Sequence, residues 1–105
     1  MRDHNIFVTI AIPFYNSECF LADAIQSVVN QTYINWELLL MDDNGTDGSR
    51  KIAEKFAAKD KRIRLVSDNE NHGLPSRLNE SVELAKGEIY VRMDDDDIMV
   101  ADRVE

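Results

Sequence analysis

Four consecutive carboxylates, Asp94-Asp95-Asp96-Asp97, stand directly after Glu88-Ile89-Tyr90-Val91-Arg92-Met93. A second acidic pair, Asp42-Asp43, stands directly after Trp36-Glu37-Leu38-Leu39-Leu40-Met41. Like charges crowded this closely repel one another unless something positive sits among them. Hard divalent cations take oxygen ligands, so one chemistry open to such clusters is metal binding. Another is accepting hydrogen bonds from a base or ribose, as acidic residues do at strand ends in nucleotide-binding sheets. The plain alternative for each cluster is a solvated acidic turn whose aspartate caps the next helix. Two clusters at strand ends together favour a carboxylate-based ligand site over two unrelated turns.

The elements that must position these residues are legible as apolar patterns. Phe7-Val8-Thr9-Ile10-Ala11-Ile12 is a nearly continuous apolar run, the mark of a buried parallel strand, which Pro13 is expected to end. A helix follows over 18–32, with Asn16 or Ser17 as cap and Leu21, Ala24, Ile25, Val28 and Val29 as its apolar stripe. The second strand, Trp36 onward, is more apolar still. Asn44-Gly45 then marks a turn, and Thr46 or Asp47 can cap a helix over 49–59 carrying Ile52, Ala53, Phe56 and Ala57. Ile63-Arg64-Leu65-Val66-Ser67 reads as a third, shorter strand. Leu74, Leu78, Val82 and Ala85 mark a third helical stripe, with Pro75 in its first turn and Gly87 at its C′ position. In the fourth strand Ile89, Val91 and Met93 alternate with Glu88, Tyr90 and Arg92. Residues 98–105 read as the opening of a further helix.

Strands alternating with helices predict right-handed crossovers and a parallel sheet with helices on both faces, expected in the order 3-2-1-4. The fold class is therefore α/β, Rossmann-like. Ligands of such sheets bind outside the carboxyl ends of the strands, where strand order reverses. Here that reversal falls between strands 1 and 4, which brings Tyr15 beside Asp94 and Asp96.

Length and composition set bounds. The 105 residues, 44% of them hydrophobic, suffice for one domain, 1–105, and not for two. With 20 acidic against 12 basic residues and a net charge of −8, binding of nucleic acid through a basic patch is disfavoured. The single cysteine, Cys19, leaves no internal disulfide and suits a reducing compartment; its place in a helical pattern predicts burial. No secretion signal and no membrane-span-length apolar run occurs.

A series of short motifs runs along nearly the whole chain. These are Val8-Thr9-Ile10-Ala11-Ile12-Pro13-Phe14-Tyr15-Asn16, Ala24-Ile25-Gln26-Ser27-Val28, Asn30-Gln31-Thr32, and Asp42-Asp43-Asn44-Gly45-Thr46-Asp47-Gly48-Ser49. Asn71-His72-Gly73-Leu74, Ala85-Lys86-Gly87-Glu88 and Met93-Asp94-Asp95-Asp96-Asp97-Ile98 complete it. In this order and spacing the chain resembles the N-terminal, nucleotide-sugar-binding half of family 2 glycosyltransferases of the GT-A fold. The resemblance implies that Pro13 and Tyr15 line a uracil or ribose pocket, and that Asp43 accepts from the base with Asp42 beside it. Arg77 falls where the family often places a donor-site residue; alternatively it is a solvated helix arginine. Asp94 and Asp96 match the D-x-D that holds Mg²⁺ or Mn²⁺ against the donor diphosphate, with Asp97 a frequent third aspartate. The middle residue of that motif is usually small and uncharged, whereas here it is Asp95, which adds Asp95 to the donor-site candidates.

The implied activity is metal-dependent, inverting transfer of a sugar from a UDP-sugar to an acceptor hydroxyl of a glycan or lipid-linked molecule, in polysaccharide or glycoconjugate synthesis. A divalent ion would reconcile an acidic site with an anionic ligand and stabilise the departing diphosphate. The general base that inversion requires is expected beyond Glu105. The chain is accordingly read as part of a longer protein, cytoplasmic or peripheral at the inner face of a membrane, whose fourth strand is open to self-association in isolation. Other classes fit less well. In a phosphate-accepting receiver domain the acidic pair would follow the first strand. In a calcium loop beginning at Asp94, Met99 stands where glycine should and Ile98 where an oxygen ligand should. A nucleotidyltransferase would carry a Gly-rich loop in place of Pro13-Phe14-Tyr15-Asn16.

Overall fold

The computed structural model describes residues 6–68 and 70–95. The chain runs β1 (Val8–Phe14), α1 (Leu21–Asn30), β2 (Trp36–Asp42), α2 (Ser49–Lys59), β3 (Ile63–Val66), α3 (Leu74–Leu84) and β4 (Ile89–Arg92). All pairings are parallel, and the sheet order is β3-β2-β1-β4, as expected from the sequence. The fold expectation is thereby met. The 98–105 helix expectation lies outside the described residues.

Every residue of β1 is buried, and so is every residue of β2 except half-buried Glu37. Alternate residues serve the two faces. Val8, Ile10, Ile12 and Phe14 pack with Leu38 and Leu40 against Leu21, Ile25 and Val28 of α1 and Ala53 of α2. Ala11, Leu39 and Met41 form a smaller core with Leu84 of α3 on the opposite face. At roughly 1.5–3 kcal/mol for each fully buried large aliphatic side chain, the first face supplies most of the drive to fold.

Pro13 does not end the first strand; it pairs with Met41 inside it. The ladder explains why a residue without an N–H is tolerated there. Val8 N donates to Asn35 O and Phe14 O accepts from Asp43 N, so even-numbered residues of β1 turn their backbone groups toward β2. Phe7 O accepts from Glu88 N and Ala11 O from Met93 N, so odd-numbered residues face β4. Pro13 is odd, and β4 pairs only as far as Ala11. No ladder bond is lost.

Three other expectations are corrected. Cys19 is exposed, because α1 starts at Leu21 rather than at residue 18. The predicted stripe of α3 is not its buried face: Leu74 and Val82 are exposed, while Arg77 and Ser81 are buried. Polar partners turn that helix, as described below, and Ser81 Oγ meets Tyr90 Oη at 2.6 Å. Gly87 is not a helix C′ residue, since Ala85 is the C-cap of α3. It lies against β1, where a Cβ would sit 2.4 Å from Thr9 N; its own N–H donates to Thr9 Oγ1 at 2.8 Å. Glu37 closes the same corner by accepting from Thr9 Oγ1 at 2.6 Å and from Lys86 N at 2.8 Å.

This contact gives a direct test. Gly87→Ala should lose about 1–3 kcal/mol of unfolding free energy, the usual range for overpacking, in urea denaturation. Unchanged stability would mean that β4 is free to move off β1.

Candidate functional site

The loops at the carboxyl edge are joined by side chains that reach from one loop to the next. Asn16 follows β1 with a left-handed φ of 51°, which asparagine tolerates. Its Oδ1 accepts from Thr46 N at 2.7 Å and from Asp47 N at 3.2 Å. Glu18 Oε1 accepts from Gly48 N at 3.1 Å, and Glu18 N donates to Asp47 Oδ2 at 3.0 Å. Asn16 and Ser17 were expected to cap α1, but no side chain caps it. The Ser17 carbonyl accepts from Phe20 N and Leu21 N instead. Asp47 meets its expectation more closely, receiving both Ser49 N and Ser49 Oγ at the start of α2. Burial opposes the charge on Asp47, yet the bonds from Ser49 and Glu18 hold its carboxyl below the ordinary carboxylate range.

A second cross-link sits between β2 and α3. Asp43 is 2% exposed, and its carboxylate accepts from His72 N at 2.8 Å, from Gly73 N at 3.1 Å and from Arg77 Nε at 3.1 Å. Gly73 adopts φ 87°, a left-handed conformation that turns its N–H inward without strain on a side chain. Arg77 is 1% exposed. Beyond Asp43 it donates to Glu80 at 3.0 Å, to Asp68 at 2.8 Å and to the Glu70 carbonyl at 2.5 Å. Arg77 is therefore neither a solvated helix arginine nor free to reach a ligand; it is the counterion of Asp43. Burial works against its charge, but Asp68, Glu80 and Asp43 raise its pKa above the ordinary value. The same hydrogen bond from Arg77 is the main reason that Asp68 is held down at about 2.

Between these cross-links lies a cleft of about 600 Å³ beside the β1–β4 reversal. Tyr15, Asn16, Ser17 and Phe20 after β1 line it together with Asn71, Gly73 and Leu74 at the start of α3, and Asp43 and Asp95 complete the lining. Tyr15 (44% exposed) and Phe20 (58%) present large aromatic surface to solvent. Such a cleft has the size of a small-ligand site, and its ring faces and carboxylates can take a planar base together with a polar chain.

The predicted site residues divide among three environments. Tyr15, Asp43 and Asp95 line the cleft. Pro13 and Asp42 are buried beneath it in β1 and β2 and do not line it; Asp42 Oδ1 accepts from Asn44 N, while its Oδ2 has, among the described residues, Arg50 as counterion 3.8 Å away. Asp94 is exposed, and its carboxylate receives Arg92 at 3.2 Å. Asp96 and Asp97, and with them the second half of the D-x-D, lie outside the described residues. Asp95 accepts a short hydrogen bond from Ser17 Oγ, which ties the acidic turn to the β1–α1 loop. Phe20 and Leu74 are lining residues that the sequence reading does not include; an aromatic residue just before a helical stripe is a signal that could have pointed to Phe20. Both aspartates of the Asp42-Asp43 pair are buried, and Asp43 is already bonded to His72 N, Gly73 N and Arg77.

Carboxylate oxygens are the donors suited to Mg²⁺ or Mn²⁺, and Asp94 and Asp95 supply them at the edge of the cleft. Among the described residues, a group with ligand spacing is instead Asp68, Glu70 and His72, within 4.8 Å of one another. That exposed group is already engaged, Asp68 by Arg77 and by His72 at 3.1 Å.

A parallel α/β sheet with an acidic cleft at its reversal point places the chain in the Rossmann-like class, whose ligands bind at that edge. The sequence matches glycosyl transferase family 2 over residues 9–105, and the chain belongs to that family. Among its relatives is the UDP-Glc:alpha-D-GlcNAc-diphosphoundecaprenol beta-1,3-glucosyltransferase WfgD of Escherichia coli. The two are 37% identical over 93% of this chain and 38% of WfgD. Residues 1-349 of TarS from S. aureus, solved in complex with UDP, superpose with a TM-score of 0.86 at 25% identity, covering 94% of this chain and 30% of that 1-349 chain. The mannosyltransferase PcManGT from Pyrobaculum calidifontis, in complex with GDP-Man and Mn²⁺, superposes with a TM-score of 0.81 at 26% identity, covering 93% of this chain and 30% of its own. The chain thus spans about a third of the length of such proteins.

The state of Asp68 gives a pH test. Its folded pKa of about 2 lies below the ordinary 3.8, so its contribution to stability is present above pH 3.8 and is lost as pH falls toward 2. Asp68→Asn should therefore lower the melting temperature at about pH 6, and the two proteins should converge near about pH 2. A constant difference across that range would mean that Asp68 does not hold Arg77.

Proposed function

We propose that this chain is the donor-binding part of a glycosyltransferase that transfers a sugar, with inversion, from a UDP-sugar to a hydroxyl of a glycan or lipid-linked acceptor. The observation that carries the proposal is the cleft at the β1–β4 reversal, lined by the aromatic rings of Tyr15 and Phe20 and by Asp43 and Asp95. The family membership and the UDP complex of TarS support a nucleotide-sugar donor, and the name of WfgD supports UDP as its carrier.

In this reading the base lies against Tyr15 and Phe20. Asp43, anchored by His72 N, Gly73 N and Arg77, keeps part of its carboxylate at the cleft to accept from the base. Ser17 holds Asp95 in place. Asp94, Asp95 and Asp96 would hold Mg²⁺ or Mn²⁺, which supplies charge neutralisation of the donor diphosphate and of the leaving group. The Mn²⁺ complex of PcManGT supports a divalent ion in this role. Deprotonating the acceptor hydroxyl is assigned to a carboxylate outside the described residues. His72 is paired with Asp68 and is not among the cleft residues.

Titration calorimetry with UDP tests the reading. Binding should be strong with Mn²⁺ or Mg²⁺ and weak in EDTA, because an anionic ligand otherwise meets a chain of net charge −8. Tyr15→Ala should weaken binding by about 1–3 kcal/mol, the usual worth of one base stacked on one aromatic ring. Tyr15 is largely exposed, so its loss should leave the melting temperature unchanged. Equal affinity with and without metal would remove the metal bridge, and equal affinity in Tyr15→Ala would move the base elsewhere.

A further inference from the structure

The acidic balance of the chain is not evenly spread. Residues 50–64 carry seven of the 12 basic residues, Arg50, Lys51, Lys55, Lys59, Lys61, Arg62 and Arg64, and only two acidic ones, Glu54 and Asp60. Both acids are already paired within the segment, Glu54 with Arg50 at 3.5 Å and Asp60 with Arg62 at 2.8 Å. Arg62 is further occupied by the ring of Trp36, 3.9 Å from its guanidinium. Lys51, Lys55 and Lys59 are exposed, fall one turn apart along α2, and are continued by exposed Lys61 in the turn to β3. None of these four makes a salt bridge to a described residue. Beside the stripe, Ile52 and Phe56 are only half-buried. With Ala22 of α1 they line an apolar groove of about 230 Å³ whose rim is Lys55 and Lys59.

We propose that the outer face of α2 is a docking surface for an anionic lipid bilayer, with Lys51, Lys55, Lys59 and Lys61 among the headgroups and the Ile52–Phe56 groove at the interface. Charge complementarity selects the occupant. A basic stripe alongside a half-open apolar stripe is the pattern of helices that lie on membrane surfaces. The four cations of the stripe are lysines, point charges on flexible stems, which suit a mobile field of phosphates better than the fixed carboxylate or phosphate geometry that arginine forks read. The net charge of −8 opposes the long-range field of a nucleic acid, whereas a bilayer meets one face only. The stripe also leads away from the cleft. The helix α2 leaves the carboxyl edge at Ser49 and carries the lysines toward the opposite edge, so the docked protein keeps its cleft open.

Sedimentation of the purified protein with vesicles tests this, using phosphatidylglycerol mixed with phosphatidylcholine against phosphatidylcholine alone. The protein should co-sediment with the anionic vesicles only, and should be released as salt shortens the screening length. Lys51→Gln, Lys55→Gln and Lys59→Gln combined should reduce the partition coefficient on the order of a hundredfold, about fivefold for each lysine. The melting temperature should not change, since all three side chains are exposed. Equal sedimentation of the triple variant, or no binding above the phosphatidylcholine control, would overturn the proposal. So would binding to a single-stranded polynucleotide in place of vesicles.

Discussion

The ion pair between Asp43 and Arg77 is the constraint on which the candidate site depends. Both side chains are almost completely buried, and an unpaired charge in either place would be strongly destabilising. Pairing alone does not explain the arrangement, because burying two charges can cost more than their attraction returns. The remaining capacity of both groups is also used. Asp43 takes the backbone N–H groups of His72 and Gly73, and Arg77 takes Asp68, Glu80 and the Glu70 carbonyl. The result is a loop over 70–73 that cannot choose another position while β2 and α3 stay in place, and that loop helps to line the cleft.

The β1–α1 side of the cleft follows the same rule without a buried ion pair. Asn16, Ser17 and Glu18 answer backbone and side-chain partners in the 46–49 loop, and Ser17 reaches across to Asp95. Each loop at the carboxyl edge is thus completed by groups from another loop. A polar group left without its partner in such a setting costs more than the bond itself returns, so the loops are fixed jointly.

This mutual dependence also explains what the sequence could and could not convey. The strand order was legible because apolar runs in β1 and β2 mark central strands, and crossover handedness leaves few alternatives. Asp43, Tyr15 and Asp95 could be placed at the cleft because they follow strand ends. The face of α3 was misread, since the Leu74–Leu78–Val82 spacing is a real helical stripe that loses to Arg77 and Ser81. No periodicity reveals that an arginine will be buried against Asp43, 34 residues away, with Asp68 and Glu80 closing around it. Pro13 reads as a strand end in the sequence, yet a missing N–H matters only on a side that is paired, and register is not visible in one strand. Gly87 has the same character: the sequence shows a glycine after a helix, while its reason is the backbone of β1.

The central claim is that a nucleotide occupies the cleft between Tyr15 and Gly73 and nowhere else on this chain. A two-dimensional amide NMR titration with UDP in the presence of Mg²⁺ tests it most directly. The expected shifts centre on the amides of Tyr15, Asn16, Ser17, Phe20, Asp43, Gly73 and Asp94 to Asp96, with those of α2 and β3 unmoved. Shifts centred on Asp68, His72 and Glu80, or an unchanged spectrum at saturating UDP, would contradict it.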